Sequence, residues 1–165
     1  MEFSIRQAKE EDRKDVIDLF NYYVINSFAA YPDEKVAYDF FDKLNHLTID
    51  GSFYAIGLNS GGIIGFGLLK KFYSFKVFNR TAEIAYFLHK DHTGEGLGKI
   101  ILDQLIADAR KKNIRTLLAS ISSLNIMSIK FHHKYGFTEC GRFSQVGTKL
   151  GKDFDMVWMQ KFIWC

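Results

Sequence analysis

Two cysteines and one proline are all that 165 residues hold of either type, and each scarcity excludes something. Cys140 and Cys165 suggest neither a disulfide framework nor a zinc site, so the core has to hold the fold and both thiols read as bystanders. With Pro32 the lone proline, and with no Ser/Gly-rich tract, low-complexity run or internal repeat, nothing reads as a linker. One domain over residues 1–165 is the expectation. No segment approaches the ~18 uncharged apolar residues that a membrane span needs. The opening MEFSIRQAKEEDRKD also lacks the apolar stretch of a secretion signal, which points to a soluble, cytoplasmic protein. A long run of one charge is missing too. The net +3 comes from Lys and Arg scattered among Asp and Glu, so neither nucleic acid nor membrane is an expected partner.

What the chain does have is periodic apolar sequence. FSIRQA reads as a strand, and residues 10–26 as a helix with Val16, Ile17, Phe20, Tyr23 and Val24 on one stripe. Residues 33–44 are expected to form a second, shorter helix beyond Pro32. SFYAIGL and GIIGFGLLKKF follow as two strands joined by Asn59-Ser60-Gly61-Gly62, where asparagine and glycine accept positive φ cheaply. Residues 80–89 read as a strand and 98–112 as a helix carrying Ile101, Leu102, Leu105, Ile106 and Ala109 on one face. TLLASIS, residues 116–122, is apolar enough for a strand buried on both faces. Asn125 is placed to N-cap a helix ending at Tyr135, with Gly136 as its C-cap, and FTECGRFSQV and FDMVWMQKFI close the chain as strands. The fold class is α/β with a mixed sheet.

HTGEGLGKI, between the strand at 80–89 and the helix at 98–112, places Gly94, Gly96 and Gly98 at alternate positions. A P-loop would need glycine at Thr93 and Ser or Thr at Ile100. A dinucleotide fingerprint would need G-x-G-x-x-G in the first βα unit rather than G-x-G-x-G late in the chain. Both readings fail, but the physics they share survives: bare backbone N–H groups at a helix N-terminus attract phosphate. The triplet alone fits a phosphate cradle and a ligand-free turn equally well.

HTGEGLGKIILDQLI together with SSLNIMSIKFHHKYGF resembles the acetyl-CoA site of the GNAT N-acetyltransferase superfamily, in Gly96, Gly98, Asn125, Ser128 and Gly136-Phe137. Within it, AEIAYFLHKDHTGEGLG and VGTKLGKDFDMVWMQ resemble the phosphinothricin and methionine sulfone/sulfoximine acetyltransferase group, over nearly the whole chain. The resemblance implies a mostly antiparallel central sheet of about six or seven strands flanked by about four helices. It also implies acetyl-CoA as acetyl donor, a small-molecule amine as acceptor, and a homodimer. Thr93 stands where the superfamily usually has Arg or Gln, and Thr148 and Asp153 replace aromatics common in the closing segment, so reaction type is better marked than substrate.

Acetyl transfer from a thioester needs a neutral amine, a place for charge on the carbonyl oxygen and a proton for the thiolate. Glu83, in an apolar strand in register with Ala85 and Phe87, matches the group's general base; the bland alternative pairs it structurally with Arg80 or a histidine. The resemblance assigns the backbone of Tyr86, Phe87 and Leu88 to the thioester and pantetheine arm, and that of Gly94, Glu95, Gly96, Leu97, Gly98 and Lys99 to the pyrophosphate, with Asn125 and Ser128 also on the cofactor. His132 stands where many of these enzymes carry a tyrosine acid. The acid is thus open between His132, Tyr135 and none, while His133 reads as a solvated helix face. Phe28, Tyr31, Phe72, Tyr73 and Arg80 are the candidates for the acceptor pocket. His89-x-x-His92 bridges a strand end and a loop with no completing ligands, so no metal is expected. Two functions follow. One is an N-acetyltransferase for an amino acid or its analogue, with polyamine, aminoglycoside or protein N-terminus as other acceptors. The other is a non-catalytic acyl-CoA sensor, for which a buried base has no use.

Overall fold

The computed structural model describes residues 2–164, so Cys165 lies outside the described residues. Seven strands form one sheet in the order β1-β2-β3-β4-β5-β7-β6. They are β1 (Phe3–Gln7), β2 (Thr48–Leu58), β3 (Ile63–Lys71), β4 (Thr81–Leu88), β5 (Thr116–Ser122), β6 (Thr138–Lys149) and β7 (Lys152–Phe162). Every neighbouring pair is antiparallel except β4 and β5. Four α-helices flank the sheet: α1 (Arg13–Asn26), α2 (Phe40–Leu47), α3 (Leu97–Lys111) and α4 (Ile126–Lys134). Among the described residues no helix is long and apolar enough to cross a membrane.

The period-two pattern of the strands builds a separate core on each face. On one side Ile84, Leu117, Ala119, Val157 and Met159 meet the stripe of α3, with Ile101, Leu102 and Leu105 buried. On the other, Phe53, Phe66 and Leu68 meet Val16, Ile17 and Phe20 of α1 and Phe41 and Leu44 of α2. The sheet thus has a side of α1 and α2 and a side of α3 and α4.

Two expectations need correcting. The second helix begins at Phe40, not Asp33, because the buried side chain of Asn21 takes both backbone groups of Val36, donating to its carbonyl at 2.9 Å and accepting from its amide at 2.9 Å. That pair of bonds takes the amide and the carbonyl that residue 36 would need inside a helix. The last two strands are longer than expected and meet at Leu150 and Gly151, both at positive φ (50° and 72°), a two-residue hairpin whose first position is not glycine.

Asp12 fastens β1 to α1. It is buried, receives two bonds from the Arg6 guanidinium at 2.7 and 2.9 Å, and accepts from the Lys9 amide at 2.8 Å. Burial makes it a weaker acid, but the Arg6 and Lys9 bonds outweigh that and hold the carboxyl below the usual aspartate value. Asp108 is held down in the same way: burial opposes, and Lys112 and Ser52 prevail. A depressed folded-state value adds stability that is present above the unfolded value of 3.8 and is lost as the pH falls through the folded one. Asp12→Asn is therefore expected to lower unfolding free energy by about 1–2 kcal/mol at pH 7. In urea titrations the gap between variant and parent should shrink below pH 4, whereas a loss of packing alone would leave it unchanged with pH.

Candidate active site

The parallel contact between β4 and β5 is three residues long, pairing Thr81, Ala82 and Glu83 with Thr116, Leu117 and Leu118. Beyond Glu83 the strands part, while β4 stays paired with β3 as far as Leu88 opposite Gly65. The His89 amide donates to Ile64 at 2.7 Å, which fixes the alternation along β4. The backbones of Glu83, Ala85 and Phe87 bond to β3, and those of Tyr86 and Leu88 turn toward the gap. Of the three amides expected to meet a thioester arm, that of Phe87 is therefore committed to the ladder. In the gap the Leu88 carbonyl accepts from the Tyr23 hydroxyl at 2.5 Å, leaving both N–H groups there open.

A cavity of about 280 Å³ lies at this parting and is lined from both sides of the sheet. From the side of α1 and α2 come Glu83, Ala85, Phe87, Phe66, Leu68 and Lys70, with Phe20, Phe40, Leu44 and Leu47 of the helices and residues 29–32 of the intervening loop. Glu83 is ion-paired with Lys70, directly opposite it on β3, at 3.0 Å and with four-fifths of its side chain buried. Its partner is thus Lys70, and not Arg80 or a histidine. Tyr31 enters the wall, bonded to Ser120 at 3.0 Å and stacked on Phe154 at 6.0 Å and 6°. Burial, helped by the nearby Glu83 charge, raises its phenol above the ordinary tyrosine value. Behind the loop, Lys149 is buried and donates to the Ala30 carbonyl at 2.5 Å, its ammonium weakened by loss of water.

The other acceptor-pocket candidates lie outside this lining. Phe28 packs edge-on against Phe154, Phe72 and Tyr73 cluster with Phe78, and Arg80 is exposed, its carbonyl taking the amides of Arg115 and Thr116. They sit near the pocket in sequence, but none of them is among the residues that line it. Sequence reading missed Lys70, Ser120 and the phenol of Tyr86. Lys70 was within reach, because a lysine ending an apolar strand takes the face its period-two position dictates.

From the side of α3 and α4 the cavity receives Tyr86, Asn125, Ser128 and His132. Asn125 caps α4, accepting from the Ser128 amide at 3.3 Å. His132 is buried between two partners. Its Nδ1 lies 2.7 Å from the Ser128 carbonyl, which can only accept, so Nδ1 carries the hydrogen. Nε2 is then the acceptor for the Tyr86 hydroxyl, 2.6 Å away. Burial lowers the basicity of His132 and raises the Tyr86 phenol well above its ordinary value, so both are neutral. Tyr135 packs on Phe131 outside the lining, and His133 is exposed.

The glycine loop opens α3. Gly96 sits at φ 84° as N-cap with no side-chain cap, and its carbonyl takes the amides of Lys99 and Ile100 at 3.1 and 3.2 Å. Lys99 therefore leaves the set of open donors, its side chain pairing instead with Asp103. The amides of Gly94, Glu95, Gly96, Leu97 and Gly98 have no acceptor among the described residues, a row of donors at the positive end of a fifteen-residue helix. No heavy atom stands within 4 Å of where a Cβ on Gly94 or Gly96 would be, so the cradle is bare. Gly98 serves packing: a Cβ there would meet the Phe131 ring at 3.0 Å, and its absence lets α4 lie against α3. Thr93 gives its hydroxyl to the Lys90 carbonyl at 3.0 Å, and His92 pairs with Glu95 at 3.2 Å. Among the described residues no three His, Cys, Asp or Glu side chains gather as a metal ligand set.

Residues 5–158 match the family described as Acetyltransferase (GNAT) domain. The chain is 31% identical over 161 residues to the L-amino acid N-acyltransferase MnaT of Escherichia coli, covering 95% of this chain and 92% of that one. It is 31% identical over 163 residues to the L-methionine sulfoximine/L-methionine sulfone acetyltransferase of Salmonella typhimurium, with the same coverage of 95% and 92%. Among solved structures, yncA from Salmonella typhimurium with its cofactor acetyl-CoA superposes with a TM-score of 0.86 at 30% identity, covering 98% of this chain and 94% of that one.

The bare amides at Gly96 give a direct test. Gly96→Val places a branched side chain at a φ it resists and over the open donors, so acetyl-CoA affinity is expected to fall about tenfold or more. Calorimetric titration reads the loss, and an unchanged circular dichroism spectrum certifies the fold.

Proposed function

The chain belongs to the GNAT acetyltransferase family, and from that premise we propose that it acetylates the primary amine of an amino acid or amino-acid analogue with acetyl-CoA as donor. The observation that carries this reading is the single cavity reached from both faces of the sheet, with a carboxylate on one side and a phenol–imidazole pair on the other. A module that only senses acyl-CoA has no need of either pair.

The residues present suit the donor. The open amides from Gly94 to Gly98 match a pyrophosphate, and the Tyr86 and Leu88 amides in the gap are donors for a carbonyl oxygen gathering charge. When bound, acetyl-CoA supplies an activated acyl group and a thiolate leaving group. Glu83 receives the incoming ammonium and takes its proton, directly or through water. His132 and Tyr86 act as a pair, the His132 N–H held by the Ser128 carbonyl and the Tyr86 hydroxyl by His132 Nε2. Of the two, the Tyr86 hydroxyl can turn about its C–O bond, so we assign Tyr86 Oη as the proton source for the sulfur, with His132 as positioning residue.

We further read the protein as a cytoplasmic homodimer. Cys140 is an exposed free thiol, which a reducing compartment preserves. β6 is an edge strand exposed from Thr138 to Val146, with Phe143 and Val146 more than half exposed, a surface suited to a second copy. Light scattering at micromolar concentration is expected to give twice the chain mass, and a monomer mass overturns this point.

Glu83→Gln keeps shape and hydrogen bonding but loses basicity. Its kcat is expected to fall ~10²-fold or more while acetyl-CoA binding stays nearly intact, as read by thiol release and calorimetry. Tyr86→Phe removes the movable proton and is expected to lower kcat by a similar ~10² with the same retention of donor binding. Normal turnover by the Gln variant across a range of pH would exclude Glu83 as the base.

A further inference from the structure

The acceptor half of the cavity holds one feature that base catalysis leaves unused. Lys70 faces Glu83 across neighbouring strands at 3.0 Å, three-quarters buried, and is the one lysine or arginine in the cavity lining. A general base needs no permanent cation beside it; such a partner competes with the ammonium the base has to receive. The remaining acceptor-side walls are aromatic and aliphatic, relieved by the hydroxyls of Tyr31, Ser120 and Ser122.

We infer that Lys70 reads the α-carboxylate of the acceptor, and that the acceptor is an α-amino acid with an uncharged, mainly apolar side chain; this rests on Glu83 serving the amine. An α-amino acid carries its ammonium and carboxylate on one carbon, so their close spacing matches that of Glu83 and Lys70. On binding, one protein ion pair is exchanged for two, ammonium to Glu83 and carboxylate to Lys70, and every charge keeps a partner as water leaves. An amine without the carboxylate takes Glu83 and leaves the three-quarters-buried Lys70 without an anion, a state that buried charges resist. A side chain with an anion of its own, such as the phosphinate of phosphinothricin, finds no second cation, because the neighbouring Lys149 is committed to the Ala30 carbonyl. The side chain instead meets Phe20, Phe40, Leu44 and Leu47.

The test compares L-methionine, 3-(methylthio)propylamine and phosphinothricin as acceptors for the parent protein, Lys70→Met and Lys70→Arg. Thiol release gives kcat/KM, and calorimetry gives acceptor binding to the CoA-saturated protein. Methionine is expected to exceed the amine and phosphinothricin by ~10²-fold in kcat/KM with the parent. Lys70→Met should bring the methionine-to-amine ratio to within a few-fold, and Lys70→Arg should restore most of it. The ratio is the informative quantity, because any change in Glu83 basicity on losing Lys70 acts on both acceptors and cancels. Equal use of methionine and the amine by the parent, an undiminished ratio in Lys70→Met, or phosphinothricin matching methionine overturns the inference. If no amine is acetylated yet methionine binds and Lys70→Met abolishes that binding, the catalytic reading falls and the carboxylate subsite stands.

Discussion

Three rungs of parallel hydrogen bonding hold β4 to β5, and the rest of the site depends on their ending where they do. A fourth and fifth rung would consume the backbone of Tyr86 and Leu88 and close the passage between the two faces of the sheet. Because β4 remains tied to β3 along its whole length, the parting costs the sheet no stiffness on that side, and Glu83 sits at the last rung, where the backbone is still fixed. The Glu83 carboxylate is therefore rigidly mounted at the rim of the opening, while the amides beyond it are left without partners. An opening of this kind survives only because α3 and α4 cover it on one side and α1, α2 and the loop between them cover it on the other.

Much of this was legible in the sequence because local signals agreed with one another. The strand at 116–122, the Asn125 cap and the glycine-opened helix are set by neighbours a few residues away, and periodicity or capping chemistry reveals them. What escaped depends on residues far apart in the chain. Asn21 bonding Val36 stops a helix that propensity alone would start earlier, and no local rule announces it. The ion partner of Glu83 is set by the register of β3 against β4, which places Lys70 opposite while the closer Arg80 faces solvent. The His132 tautomer likewise follows from a carbonyl one turn back and a phenol on another strand. Composition could name the histidine, but it could not say which nitrogen holds the hydrogen.

The polar groups around the passage are economical in number and each has a fixed state. Buried and neutral, His132 and Tyr86 carry a proton in a defined place, while Glu83 and Lys70 carry opposite charges that balance without solvent. No buried side-chain nitrogen or oxygen among the described residues lacks a hydrogen-bond partner. Backbone amides without a partner are found instead at the loop before α3 and in the gap beside β4.

The acceptor wall is anchored in an unexpected place. Residues 29–32 follow α1, yet their position is set by Lys149 bonding Ala30 and by Phe154 beneath Tyr31, both on the hairpin of β6 and β7 at the other end of the chain. The donor side is shaped by α3, α4 and β4 and shares none of these contacts. The two sides of the cavity thus rest on different parts of the chain. Substitutions at the hairpin tip, around Lys149 and Phe154, therefore move the acceptor wall first, whereas farther along β7 Val157 and Met159 pack against α3 beneath the donor side, so the same hairpin serves one substrate at its tip and the other along its length.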